Sequence, residues 1–129
     1  MAVKDVLRDH GDQLRTDLLS KVIEAAADCA AHCDACADAC LEEGNPDLVR
    51  CIRSDLDCAD ICTATAKVVA RAGASGQPWL ELVKVCMQAC ASCAEECEQH
   101  ADMHDHCRAC AEACRRCEAA CRELLDAAG

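Results

Sequence analysis

Sixteen of the 129 residues are cysteine, and their spacing restricts the fold more than any other feature of the chain. Cys29, Cys33, Cys36 and Cys40 are separated by steps of 4, 3 and 4, and Cys86, Cys90, Cys93 and Cys97 repeat that pattern. Cys107, Cys110, Cys114, Cys117 and Cys121 step by 3, 4, 3 and 4. Alternating threes and fours are the period of a helical bundle seam, so each set forms one stripe on one α-helix. A fourth stretch keeps the frame with Leu48, Cys51, Asp55, Cys58, Cys62, Thr65 and Val69. Every cysteine therefore takes an inward position.

Four stretches lack helix breakers and are rich in Ala, Leu, Glu and Arg. Start and stop signals predict helices over about Thr16 to Glu43, Pro46 to Ala72, Pro78-Trp79 to Gln99, and Asp102 to Ala127, with Asp102 as an N-cap. Ahead of them, Val3 to His10 suits a short extra N-terminal helix broken at Gly11. Four helices of about 25 residues, each about 35–40 Å long with short connections, define an all-α, up-down-up-down four-helix bundle. The shared pattern of the first and third helices suits two similar hairpins packed together. No linker is visible, so residues 1–129 are expected to form one cysteine-lined domain.

Trp79 is the only aromatic residue, with no Phe and no Tyr, so the interior cannot rest on aromatic area. Thirteen Lys and Arg against 24 Asp and Glu give a net charge of −11. Without a basic stripe or stacking platforms, nucleic acid is not expected as a partner. No run approaches the roughly 18 apolar residues of a membrane span, so no membrane association is expected either. The N-terminus mixes charges of both signs and lacks an apolar block, which argues against a secretory signal and for a cytoplasmic location.

One or two seam cysteines would read as small buried hydrophobes. Sixteen in register do not, because valine or alanine would pack as well without the oxidation risk. Disulfides are disfavoured by a cytoplasmic location and by the strain of bridging stacked residues on one helical face. Metal remains. Seven pairs stand four apart, from Cys29/Cys33 to Cys117/Cys121. Such residues sit one above the other with Cβ atoms about 5–6 Å apart, so two thiolates can converge on one ion. Soft ions suit them: Cu(I), Zn(II), or iron in clusters. The loop spacings of common iron–sulfur motifs are absent. Zinc would form about four ZnS4 sites of net charge −2 each, costly to stack in a dry core without cationic partners. Cu(I) with bridging thiolates approaches one metal per sulfur and near neutrality, so charge favours multiple Cu(I) ions per chain.

The two ends differ. At the end where the first and third helices finish, Cys40, Cys51, Cys97 and Cys107 meet His100, Met103, His104 and His106. Imidazole and thioether are neutral Cu(I) ligands, so these four residues read as mouth ligands that pass an ion inward; a solvated polar turn is the competing reading. At the other end the stripes turn aliphatic, with Leu18, Leu19, Val22, Ile23, Val68, Val69, Leu80, Leu82, Val83, Leu124 and Leu125 forming a closed apolar plug. Asp55 stands in a cysteine frame, where an unpaired carboxylate would be penalised. It either binds metal or accepts hydrogen bonds from thiols. His32 beside Cys33 either ligates or points outward, His10 reads as a surface residue, and Trp79 either caps the plug or meets another subunit.

In-register CxxxC pairs on four helices with a His/Met turn at one end resemble the cytosolic bacterial copper storage proteins, over about Thr16 to Leu125. The resemblance implies a homotetramer of four-helix bundles, each filling its core with Cu(I) through the histidine end. It implies as ligands the sixteen cysteines with His100, His104 and His106, and less directly Met103. Asp55 interrupts the ladder in the second helix. The expected role is storage rather than catalysis, since no nucleophile and base with a third partner is evident. Copper ions are the expected partners, with a copper chaperone as a candidate donor. A zinc or cadmium buffer and a thiol-redox protein are the competing classes.

Overall fold

The computed structural model describes residues 2–7, 13–72 and 78–128. Strong helix formers dominate the stretches between the glycine and proline breakers, and helices occupy those stretches. A short α1 spans Val3–Val6, followed by the four long helices α2 (Gln13–Glu43), α3 (Val49–Ala70), α4 (Trp79–Glu98) and α5 (Asp105–Ala128). At 31 residues, α2 is about 46 Å long. Each long helix packs on two neighbours, α2 and α4 both lying against α3 and α5, which closes an antiparallel four-helix ring. Among the described residues there is no strand.

The turn after α2 sets the geometry of one end. Gly44 has φ +64°, the left-handed region that ends a helix, and its N–H donates to the Leu41 carbonyl at 3.2 Å. Asn45 then caps the next turn, its Oδ1 accepting from the Asp47 N–H at 2.9 Å, and Pro46–Leu48 form one turn of 3-10 helix leading into α3. A Cβ on Gly44 would meet nothing within 4 Å, so the cost of a side chain there is the backbone conformation alone. Gly44→Ala is expected to destabilise the apo protein by about 1 kcal/mol, read as a lower denaturation midpoint with unchanged slope.

Four boundaries differ from the sequence reading, and the first is that α2 begins at Gln13, one turn ahead of Thr16. Helix α1 stops at Val6, where Leu7 turns extended; His10 and Gly11 lie outside the described residues. The stretch from Pro46 enters α3 through a 3-10 turn rather than as regular helix. Helix α5 begins at Asp105 rather than near Asp102, because the chain makes a tight turn first: the Met103 and His104 N–H groups both donate to the His100 carbonyl, at 3.2 and 3.0 Å.

Inside the ring, sulfur replaces hydrocarbon along most of the length. All sixteen cysteines are buried, together with small alanines such as Ala26, Ala59 and Ala94 that let the helices approach. Toward the end where α2 and α4 begin the core becomes aliphatic. There Leu18, Leu19, Val22, Val69, Val83 and Leu124 are buried, and Ile23 and Leu125 pack against them half-buried. Val68, Leu80 and Leu82 are half-buried at its margin.

Candidate metal centre

The helical period carries each thiol to the axis, and their separations show how closely they meet there. Within one helix the sulfurs of Cys29 and Cys33 lie 3.9 Å apart and those of Cys58 and Cys62 3.8 Å apart. Between helices they come as near or nearer: Cys51 to Cys97 at 3.5 Å, Cys29 to Cys114 at 3.6 Å, and Cys62 to Cys90 at 3.6 Å. All sixteen are free thiols.

These contacts gather into quartets whose donor atoms all lie within 4.8 Å of one another. One is Cys36, Cys40, Cys107 and His106; a second is Cys36, Cys51, Cys97 and Asp55. Deeper come Cys33, Cys93, Cys110 and Cys114, then Cys29, Cys33, Cys58 and Cys114, then Cys29, Cys62, Cys90 and Cys117. Cys36 joins the first two quartets, Cys33 and Cys114 join the third to the fourth, and Cys29 joins the fourth to the fifth. A corner thiolate can bridge two soft ions. Cys86 and Cys121 extend the sulfur lining toward the plug, Cys86 lying 3.8 Å from Cys62 and 4.0 Å from Cys117.

Asp55 interrupts this lining from α3. It is fully buried, and three thiols converge on its Oδ1: Cys93 at 3.2 Å, Cys110 at 3.3 Å and Cys97 at 3.4 Å, with Cys51 at 3.8 Å from Oδ2. Of the two readings of Asp55, the apo geometry displays thiols donating to the carboxyl, while its oxygens also complete a metal-sized quartet. Burial, reinforced by the surrounding sulfurs, pushes its carboxyl up to about 10. Burial likewise pushes the Cys40 thiol up to about 12 and raises that of Cys107. Asp55, Cys40 and Cys107 therefore keep their protons in the metal-free core. Among the described residues no Lys or Arg is buried with them.

At the Gly44 end the histidines take distinct positions. His106 joins Cys36, Cys40 and Cys107 directly. His104 directs Nδ1 to the Glu43 carboxylate, 2.9 Å from Oε1 and 2.8 Å from Oε2, and its ring centroid lies 5.3 Å from that of His106. The Nε2 atoms of both rings are buried without a hydrogen-bond partner. His100 instead engages Glu96 Oε2 through Nε2 at 3.1 Å. The structure places Met103 outward, 74% exposed, because its step to Cys107 assumed a helix that begins only at Asp105. His32 faces the outer surface, its Nδ1 2.9 Å from the Asp28 carbonyl oxygen. Trp79 lies at the opposite end, under the Arg15 guanidinium at 5.7 Å, lining an open hollow of about 450 Å³ with Leu14, Leu80 and Leu124.

Glu43 and Glu96 are the polar residues that sequence reasoning passed over. A signal existed for Glu43: α2 ends in two glutamates with no basic residue in its last turn, the sign that the helix dipole disfavours.

A bundle whose axis is lined with free thiols in touching quartets defines a protein built to hold many soft metal ions. The chain belongs to the copper storage protein family, whose model matches residues 15–126. It is similar to the copper storage protein Ccsp of Streptomyces lividans loaded with 10 copper equivalents, at 47% identity and a TM-score of 0.85, covering 96% of this chain and 98% of that one. The structure of that cytosolic copper storage protein with five coppers superposes at 48% identity and a TM-score of 0.83, over 89% and 98% of the two chains. Cu(I)-bound Csp3, a copper storage protein, matches at 39% identity and a TM-score of 0.73, over 81% and 94%. The resemblance read from the cysteine pattern is thus borne out, as is the all-α bundle.

Proposed function

We propose that this chain stores Cu(I) along its axis, as a sequestering protein without catalytic activity. The observation that carries this reading is the set of thiol-rich quartets, most sharing corners, in a core where no Lys or Arg among the described residues is buried. The separations alone would also suit zinc, since a tetrahedron with Zn–S of about 2.3 Å has edges near 3.8 Å. Charge separates the two. Each ZnS4 site carries −2, and stacked dianions without Lys or Arg nearby are costly, whereas monovalent copper bridged by shared thiolates approaches neutrality.

In this reading the sixteen cysteines are the ligands, and Asp55 completes the quartet of Cys36, Cys51 and Cys97. His100, His104 and His106 receive copper at the Gly44 end, with Met103 as an outlying thioether. The aliphatic end closes the rod. The whole chain acts as one storage unit in the cytosol, assembled as a homotetramer and filled by a copper chaperone; the cytosolic relative from Streptomyces supports the location.

Anaerobic titration of the reduced protein against a competing Cu(I) chelator tests the reading. Saturation is expected at roughly one copper per thiol, about 16–20 ions per chain where thiolates are shared. Saturation at four ions or fewer would overturn it, and about four zinc ions after growth in zinc-rich, copper-poor medium would favour the zinc reading.

A further inference from the structure

We propose that Glu43 is a positioning residue for copper uptake: it holds the His104 imidazole with Nδ1–H donated to its carboxylate, so that the Nε2 lone pair is presented at the mouth. The proposal rests on the storage reading above and adds to it how a mouth histidine is made ready before an ion arrives.

A carboxylate only accepts, so His104 Nδ1, 2.8 to 2.9 Å from the two Glu43 oxygens, must carry the hydrogen. In the neutral ring Nε2 is then the lone-pair atom. That atom is buried without a hydrogen-bond partner, as is Nε2 of His106 beside it, which lies 3.8 Å from Glu43 Oε1. Unsatisfied buried nitrogens are rare because each forfeits its hydration without replacement. The two rings are neighbours, and His106 itself joins Cys36, Cys40 and Cys107, so a soft ion there would meet imidazole lone pairs beside thiols. His100 provides the contrast: its Nε2 is engaged by Glu96, so in the neutral ring the lone pair sits on Nδ1 instead.

The placement of Glu43 makes little sense for its own helix. It is the last residue of α2, where the dipole disfavours negative charge. From there, with the chain reversing at Gly44, its side chain reaches the residues that open α5, where the dipole has the opposite sign. A carboxylate that fixes the tautomer of a metal-binding histidine is the usual outer partner of such a ligand, and its loss typically costs about 10–100-fold in affinity or activity.

The test compares Glu43→Ala, Glu43→Gln and His104→Ala in the full chain, with helical circular dichroism and free-thiol counts as checks of folding. Uptake is followed by stopped flow from a coloured Cu(I)–chelator complex, and the His104 tautomer by imidazole 15N shifts in the apo protein. Glu43→Ala is expected to slow uptake about tenfold and to move the His104 hydrogen toward Nε2. Glu43→Gln, which keeps an acceptor oxygen in reach, is expected to recover most of the rate. In the His104→Ala background, Glu43→Ala should add no further slowing. Undiminished slowing in that background, or equal loss in the Gln and Ala variants, would overturn the proposal by making Glu43 a ligand or a bulk charge. Full-rate uptake by Glu43→Ala alongside a slow His104→Ala would overturn it while leaving the mouth assignment intact. Failure of the storage reading shows separately, as low capacity in the wild type.

Discussion

Lowering the pH from 8 to 6 is expected to weaken Cu(I) binding about 100-fold for every ion that displaces one thiol proton, because each pH unit is about 1.4 kcal/mol per proton. The sign follows from the state of the apo core. Burial holds the Cys40 thiol up at about 12 and raises Cys107, so both keep their protons across that whole range. Copper, which binds thiolate, must expel those protons, and acid opposes the exchange. Competition against a chelator of known pH dependence reads the affinity, and acid released into a weakly buffered solution counts the protons. A flat affinity between pH 6 and 8 would mean that the thiols are already ionised before copper arrives, contrary to their burial.

Between about pH 5 and pH 9 the apo protein is expected to lose stability through Asp55, at about 1.4 kcal/mol per pH unit, and Asp55→Asn to remove that slope. The folded carboxyl is held up to about 10, while the unfolded one has the ordinary value of 3.8. In between, the folded chain binds one proton that the unfolded chain has released. Stability from this group is therefore fully present below the unfolded value and declines as the pH rises toward the folded one. Asparagine keeps an oxygen for the thiols of Cys93, Cys97 and Cys110 and has no proton to lose. Urea unfolding of the reduced, metal-free proteins at pH 5, 7 and 9 isolates the effect as the difference between wild type and variant. Parallel stability curves would show that Asp55 is ionised in the fold.

The interior was legible because its period is rigid. Steps of three and four admit one helical face, so the burial of all sixteen cysteines and of Asp55 follows from spacing alone, as does the aliphatic end around Leu19, Val69 and Val83. Legibility ended where the helices do. A four-residue step to Cys107 would set Met103 on the α5 stripe, but a step has that meaning only inside a helix, and α5 begins two residues after Met103. The turn from His100 to His104 is set by hydrogen bonds to one carbonyl, which no periodicity encodes. Glu43 was missed for a related reason. Its importance comes from a partner 61 residues away across the bundle, a relation that local pattern does not carry. His32 shows the reverse: adjacency to Cys33 in sequence turns it about 100° around the helix, away from the axis and onto Asp28.

The shared corners at Cys36, Cys33, Cys114 and Cys29 bear on traffic as well as capacity. An ion passing between two quartets that share a corner trades one sulfur for the next while keeping hold of another, so that step never leaves it bare. Movement of this kind is a relay of small exchanges, and the ions form a queue in which the deepest are the last to be reclaimed.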